Sequence, residues 1–269
     1  LEEAPRPGAR HAHLKKRLHV SLLDDAILAG KRQEGVRGRY APSPTGPLHL
    51  GNVRTALLAW LQVRLAGGTL IMRMEDLDGP RVVEGSAEQI LEDLRWLGID
   101  WDEGPDVGGP VGSYTQSERD DLYEAALERL EQKGLVFPCF CSRKDIREAS
   151  SAPHERAGGG TLYPGTCRGL DAEGVERMRK RKRRRAAYRY NVQQEAPIAF
   201  TDEVCGEVRE DLASEVGDFV VRRRDGLFAY QLAVVVDDIT MGVTDVVRGE
   251  DLLGSTGRQI AIYKALGAK

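Results

Sequence analysis

The chain has 269 residues, 41% hydrophobic and 30% charged, with 39 Lys and Arg against 42 Asp and Glu for a formal net charge of −3. Length allows one large domain or two small ones, and the composition is that of a soluble globular protein. The near-neutral balance excludes a chain that holds nucleic acid by bulk charge, so any RNA contact must come from local patches. No apolar run is long and uncharged enough for a transmembrane helix, so no membrane partner is expected. Leu14–Ile27 is broken by Lys, Arg, His and Asp and does not read as a secretory signal. Four Cys at this length do not make a disulfide framework, and a reducing, cytoplasmic setting is expected.

Residues 1–36 begin basic and dotted with Gly and Pro, with one weakly amphipathic stretch from His13 to Leu28. They read as an N-terminal extension, a flexible tail or one loosely packed helix. Val36–Ala41 reads as a strand, followed by a loop stiffened by Pro42, Pro44 and Pro47. The loop ends in His49-Leu50-Gly51-Asn52, the start of a helix that Gly67-Gly68 stops. Thr69–Glu75 reads as a buried strand and Glu84–Leu97 as a helix, a β-α-β order that implies a parallel sheet. Ser117-Glu118-Arg119-Asp120 has the form of a capping box for a helix running to Lys133. Leu135–Ser142 is an apolar strand carrying two Cys.

From Ser151 to Asn191 the periodicity dissolves around Gly158-Gly159-Gly160 and a basic run, Arg177–Arg185, with eight Lys or Arg in nine residues. This stretch reads as an insertion between the two halves of a sheet domain. Order returns with Asp218–Arg224 and Leu227–Asp237, two strands flanking the hairpin pair Asp225-Gly226. Thr244–Val247 reads as a strand leading to Arg248-Gly249, and Thr256–Leu266 as a helix capped by Gly267. The expected organisation is an extension over 1–36, half of an α/β domain over 37–138, an insertion over 139–191 and the second half over 192–269.

Two places carry chemistry. A strand-loop-helix turn aims backbone N–H groups and the positive end of the helix dipole at one spot, which suits a nucleotide phosphate. An imidazole at His49 adds a donor and Gly51 lets the backbone come close; the bland alternative is that His49 only caps a helix. The second place is Cys139-x-Cys141 followed by Tyr163-x-x-x-Cys167. Thiolates bind Zn²⁺ tetrahedrally, and a ligand pair from beyond the Gly-rich stretch would let the metal staple a loose insertion. On residue chemistry alone His154 or Cys205 ranks ahead of Tyr163 as the fourth ligand, and free buried thiols are the alternative. The basic run suits RNA phosphates or a plain solvated face, and it lacks the interleaved aromatics of a base-stacking surface.

The string from Arg39 to Asn52, with Gly67-Gly68 and Arg73-x-Glu75-Asp76 behind it, closely resembles the signature of the glutamyl branch of class I aminoacyl-tRNA synthetases. His49 to Asn52 occupy the place of that family's HIGH motif, with Asn52 in the position of its second His. The resemblance runs from about Arg37 to Gly267. It implies an α/β, Rossmann-like class I catalytic domain with an inserted zinc-bearing, acceptor-binding-like region. It also implies ATP-dependent, Mg²⁺-assisted formation of glutamyl-adenylate and transfer to a tRNA. By the resemblance His49, Gly51 and Asn52 are the catalytic, ATP-binding residues. Arg39, Tyr40, Ala41, Pro42, Ser43, Glu75, Tyr230 and Arg248 line the glutamate pocket. Arg39 and Arg248 would grip the carboxylates, since a guanidinium fork binds both oxygens, and Glu75 would pair with the ammonium. Without the resemblance Tyr230 is a strand core residue and Arg248 a surface cation.

Tyr163-Pro-Gly-Thr-Cys167-Arg168, after Cys139-x-Cys141, resembles an element of the glutamyl-Q tRNA(Asp) synthetases, short relatives without an anticodon-binding domain. Their acceptor is the queuosine base of tRNA(Asp). That match implies Zn²⁺ on Cys139, Cys141, Tyr163 and Cys167, although Ser142–Leu162 is longer than usual for these relatives. Three readings follow: an enzyme of this short type, the catalytic part of a conventional glutamyl-tRNA synthetase, or a non-catalytic nucleotide- or RNA-binding paralogue. The family's Lys-Met-Ser-Lys-Ser-like ATP motif belongs beyond Lys269, so the chain is expected to stop short of its natural end. A monomer is expected.

Overall fold

The computed structural model describes His19, residues 21–149 and residues 162–268. In chain order the elements are α1 (residues 21–31), β1 (Arg37–Tyr40), α2 (Leu50–Leu65), β2 (Thr69–Met72), α3 (Ser86–Trp96), α4 (Asp120–Gln132) and β3 (Val136–Cys139). There follow α5 (Arg143–Ala149), α6 (Ala172–Lys182), β4 (Ala187–Tyr190), β5 (Ile198–Asp202), β6 (Gly206–Glu210), β7 (Phe219–Arg222), α7 (Tyr230–Thr240) and α8 (Thr256–Leu266). They cluster into two units, Leu1–Ala126 with Ala233–Leu253, and Leu127–Leu232 with Gly254–Lys269. The chain leaves the first unit within α4 and returns to it within α7.

The first unit is the parallel α/β part. β1 pairs with β2 in parallel, Arg37 opposite Thr69 and Tyr40 opposite Met72. Single parallel bridges widen the ladder on both sides: Asp245 to Gly38, Glu103 to Ile71 and Thr115 to Met74. α2 lies close on β1 because residue 38 is glycine; a Cβ there would stand 2.4 Å from Val63 Cγ2. Beneath the helices sit Tyr40, Ala56, Val63, Leu70, Met72, Ile90 and Leu94, all buried. Each fully buried aliphatic side chain of this kind contributes about 1.5–3 kcal/mol. The described part of the N-terminal extension is not loose, since α1 buries Leu23 and Ile27.

The second unit is antiparallel. β3, β4 and β7 form a three-stranded sheet in the order β3-β4-β7, and β5 and β6 form a separate hairpin. The stretch from 162 to 191, expected to lack pattern, contains α6 and β4. His154 and Gly158-Gly159-Gly160 lie outside the described residues.

Three sequence expectations are corrected. The Asp225-Gly226 turn forms, with Gly226 N–H donating to Arg223 O at 3.1 Å, but only Phe228 bridges back to Arg222. The expected strand over Leu227–Asp237 is instead α7. Its Leu232–Val236 run is at most 2% exposed, and a helix buried on every side loses the apolar-polar rhythm that marks a helix in sequence. Ser117 does not cap α4: its N–H and Oγ donate to Asp76 at 2.8 and 2.6 Å, and a short 3-10 turn precedes Asp120. Thr244–Val247 supplies one bridge rather than a strand.

Candidate active site and thiolate cluster

The loop before α2 is fastened from α3. Ser86 Oγ accepts from Gly46 N–H at 3.1 Å and donates to Gly46 O at 2.9 Å, and Val83 N–H donates to Pro44 O at 2.9 Å. His49 then sits at the N-cap of α2 in extended backbone, φ −98° and ψ 167°. Its Nδ1 accepts from Gly51 N–H at 3.1 Å and Asn52 N–H at 3.3 Å, while Asn52 Oδ1 accepts from His49 N–H at 3.3 Å. The capping role is therefore real, and it fixes the chemistry. Nδ1 is an acceptor, so the ring proton of the neutral imidazole is on Nε2. The exposed ring offers Nε2–H as a donor at the positive end of a 16-residue helix. The amides of Gly51 and Asn52, expected to face a phosphate, are used by the cap.

Past the end of β2 the ladder continues: Arg73 N–H donates to Tyr40 O at 3.0 Å and Glu75 N–H to Pro42 O at 2.9 Å. This register lays Glu75 beside Ala41, Pro42 and Ser43. Arg39 is 5% exposed, with Nη1 donating to Val247 O at 3.4 Å, which ties it to the residue before Arg248. Arg248 itself is half-buried in that segment, and Tyr230 is half-buried as the first residue of α7.

Behind Glu75 lies a buried charge network that the sequence reading missed. Arg73 is fully buried and donates to Glu75 at 3.0 Å and to Asp238 at 2.6 Å; Arg39 Nε stands 3.5 Å from Asp238. Asp237, also fully buried, accepts from Arg119 Nε at 2.7 Å, Gln116 Nε2 at 2.8 Å and Tyr123 OH at 3.0 Å. Burial pushes the Glu75 carboxyl above its ordinary value, against the pull of Arg73 and Arg39. The available signal was an Asp-Asp pair inside an apolar run, because buried charge is costly unless paired. A cavity of about 350 Å³ in the same unit is lined by Pro44, Met74, Asp76 and Leu91 among others, but by none of His49, Arg39 or Glu75.

In the second unit Cys139, Cys141 and Cys167 are buried with their sulfurs all within 4.8 Å of one another. Cys141 and Cys167 Sγ are 3.6 Å apart, and Tyr163 OH lies 3.4 Å from Cys139 Sγ and 3.9 Å from Cys141 Sγ. Tetrahedral Zn–S bonds of about 2.3 Å and Zn–O bonds of about 2.0 Å imply S···S near 3.8 Å and S···O near 3.5 Å. The Cys141–Cys167 separation and the two from Tyr163 OH to sulfur lie near these values. Cys167 N–H donates to Tyr163 OH at 2.7 Å, and the Arg189 guanidinium stands 4.2 Å from the centre of the Tyr163 ring. The Cys139 thiol is pulled down to about 4, chiefly by the hydrogen bond from Cys167. Cys205 is exposed and is not part of the cluster, so the sequence-level preference for it over Tyr163 is not met. Close to the cluster in sequence, the basic run is largely paired: Arg177 with Glu173, Arg179 and Lys180 with Glu176, Lys182 and Arg184 with Asp145.

Residues 35–269 match the model of the class I tRNA synthetase (E and Q) catalytic domain. The chain belongs to this family. It is 55% identical over 230 residues to a glutamyl-Q tRNA(Asp) synthetase of Symbiobacterium thermophilum, covering 86% of this chain and 70% of that protein. It is 46% identical over 232 residues to glutamate–tRNA ligase 1 of Halorhodospira halophila, covering 86% of this chain and 48% of the ligase. The crystal structure of a glutamate tRNA ligase from Elizabethkingia meningosepticum in complex with its amino acid superposes with a TM-score of 0.77 at 35% identity. That superposition covers 88% of this chain and 48% of the ligase, so the chain spans about half the length of the ligases it matches. As a class I synthetase catalytic domain it is a ligase by family. Among its described residues no helix is long and apolar enough to cross a membrane.

Proposed function

We propose that this chain activates L-glutamate with ATP and Mg²⁺ and transfers the glutamyl group to the queuosine base of tRNA(Asp). In this reading Nε2–H of His49 meets a phosphate oxygen of the triphosphate as negative charge builds on the oxygens around the α-phosphorus. One pre-placed donor of this kind is worth about 3 kcal/mol in the transition state. Gly51 leaves room for the ring, and Asn52 holds its backbone. Arg39 and Arg248 receive the carboxylates of glutamate, Glu75 its ammonium, and Tyr40, Ala41, Pro42 and Ser43 line the pocket. Fully buried Arg73 cannot touch substrate; it positions Glu75. Loss of Arg248 should raise the KM for glutamate, and an Arg248→Ala protein with unchanged KM removes that assignment.

Cys139, Cys141, Tyr163 and Cys167 hold a structural Zn²⁺ that staples β3 to the segment before α6. The donor set suits zinc by charge and softness, and Arg189 offsets part of the negative charge of four anionic ligands. The 55% identity over 230 residues to a glutamyl-Q tRNA(Asp) synthetase supports the queuosine acceptor, and the Tyr163 hydroxyl beside the sulfurs of Cys139 and Cys141 is in keeping with the resemblance read in the sequence. The 46% identity to a glutamate–tRNA ligase keeps tRNA(Glu) as the second reading. Charging with labelled glutamate tests both, comparing tRNA(Glu) with queuosine-containing and queuosine-free tRNA(Asp). Label on queuosine-containing tRNA(Asp) alone is expected; label on tRNA(Glu) alone overturns the acceptor.

A further inference from the structure

Asp237 and Asp238 are successive residues of α7, so their side chains leave the helix about 100° apart and reach different arginines. Asp237 takes Arg119, while Asp238 turns to Arg39 on β1 and Arg73 just past β2. One oxygen of Asp238, Oδ1, serves both: Arg73 Nη1 donates to it at 2.6 Å and Arg39 Nε stands 3.5 Å away. That Nε is buried and makes no hydrogen bond, so Asp238 holds Arg39 by charge. Arg73 reaches the other way with Nη2, which donates to Glu75 Oε1 at 3.0 Å. Asp238 thus stands behind both ends of the pocket. It faces the guanidinium read as a carboxylate receiver and, through Arg73, the carboxylate read as the ammonium receiver. At 3% exposed it is itself screened from a ligand.

Around it Arg39, Arg73 and Arg119 meet Glu75, Asp237 and Asp238, three charges of each sign. The inner side of the group is paired and its outer side is open: Glu75 Oε2 and Arg39 Nη2 have no hydrogen-bond partner among the described residues. A buried ion pair adds little net stability over an apolar pair of the same shape; what this one fixes is position and charge. Because Asp238 answers Arg73 at the shorter distance, Glu75 keeps negative charge to offer. We propose that Asp238 is the positioning residue that sets the charge balance of this pocket, so that it selects a ligand carrying an ammonium beside its carboxylates over a plain diacid. The proposal rests on the glutamate reading of the pocket and names what gives that pocket its preference. Without Asp238, Arg73 turns its whole charge on Glu75 and the pocket gains one net positive charge. An ammonium then loses attraction, and carboxylates do not.

Titration calorimetry of the full chain with L-glutamate and with glutarate, the same diacid without the ammonium, tests this. Asp238→Asn keeps the shape and one carbonyl oxygen for Arg73. It should weaken glutamate about tenfold, leave glutarate unchanged or tighter, and leave ATP within about twofold. A merely structural role would weaken both diacids together. Arg73→Gln combined with Asp238→Asn removes one charge of each sign and should return the glutamate-to-glutarate affinity ratio to within about threefold of wild type. An Asp238→Asn protein that keeps the wild-type ratio, or that loses both diacids alike, overturns the proposal. The double variant buries no unpaired charge and decides the matter where the single one does not fold: a ratio still about tenfold below wild type overturns the proposal as well. Wild-type binding separates the two ideas. A wild type that binds no glutamate removes the reading of the pocket and this proposal with it; one that binds glutamate, beside an unchanged Asp238→Asn, removes the proposal alone.

Discussion

Asp237 is the residue on which the first unit is most exposed to a single change. Its side chain is fully buried and accepts from Arg119, Gln116 and Tyr123, with Arg73 Nε 3.7 Å away. Asp237→Ala removes the anion and leaves two nearly inaccessible guanidinium groups short of a partner. Breaking a buried ion pair in this way costs about 3–5 kcal/mol. The Gln116 amide and Tyr123 hydroxyl each lose an acceptor, about 1–3 kcal/mol apiece if they find no other. These losses share one site and do not simply add. Even so, a total of about 5 kcal/mol or more matches the whole stability of many domains, about 5–15 kcal/mol. Asp237→Asn keeps the shape and one carbonyl acceptor, and should fall at the lower end. As a reference, Asp225→Ala breaks a half-exposed pair with Arg223 and should change stability by less than about 1 kcal/mol. Urea unfolding followed by circular dichroism, with soluble yield for the alanine protein, makes the measurement. An Asp237→Ala protein that unfolds within about 1 kcal/mol of wild type refutes the reasoning.

Other consequences are as direct. His49→Asn should separate capping from chemistry. Asn is as good an N-cap, so the melting temperature should hold, while loss of Nε2–H should slow glutamate-dependent ATP–pyrophosphate exchange about 100-fold; equal exchange rates would show the imidazole to be only a cap. Gly51→Ala places a Cβ 2.9 Å from His49 Cε1 and should cost the cap about 1 kcal/mol in thermal unfolding; an unchanged unfolding temperature would show that the ring does not need the space. The burial that raises Glu75 means the folded state keeps a proton that the unfolded chain has released. Its contribution therefore weakens as pH rises from the ordinary carboxylate value through the raised one, and Glu75→Gln should flatten that part of the stability–pH curve. Purified protein should carry about one equivalent of Zn²⁺ by elemental analysis. Cys167→Ala should lose it and Cys205→Ser should keep it; full zinc in Cys167→Ala would rule out the proposed ligand set.

Much of this protein was legible in the chain because the relevant signals are local. The stop at Gly67-Gly68, the cap at Gly267 and the proline-stiffened loop into His49 depend on backbone preferences of a few neighbouring residues. α8 was legible from Thr256 to Leu266 for the same reason. Cys-x-Cys with a downstream Tyr-x-x-x-Cys announced a cluster because few residue types make soft ligands. What only the tertiary structure decided are the outcomes that depend on distant partners. α7 is a helix rather than the expected strand because its β-branched, apolar run is buried on all sides, and packing there overrides local preference. Arg73 meets Asp238, and Arg119 meets Asp237, across more than a hundred residues of chain. Neighbouring cations from Arg181 to Arg185 part company only because one carboxylate on another helix takes alternate members. Sequence states which charges exist; the fold states which of them are already answered.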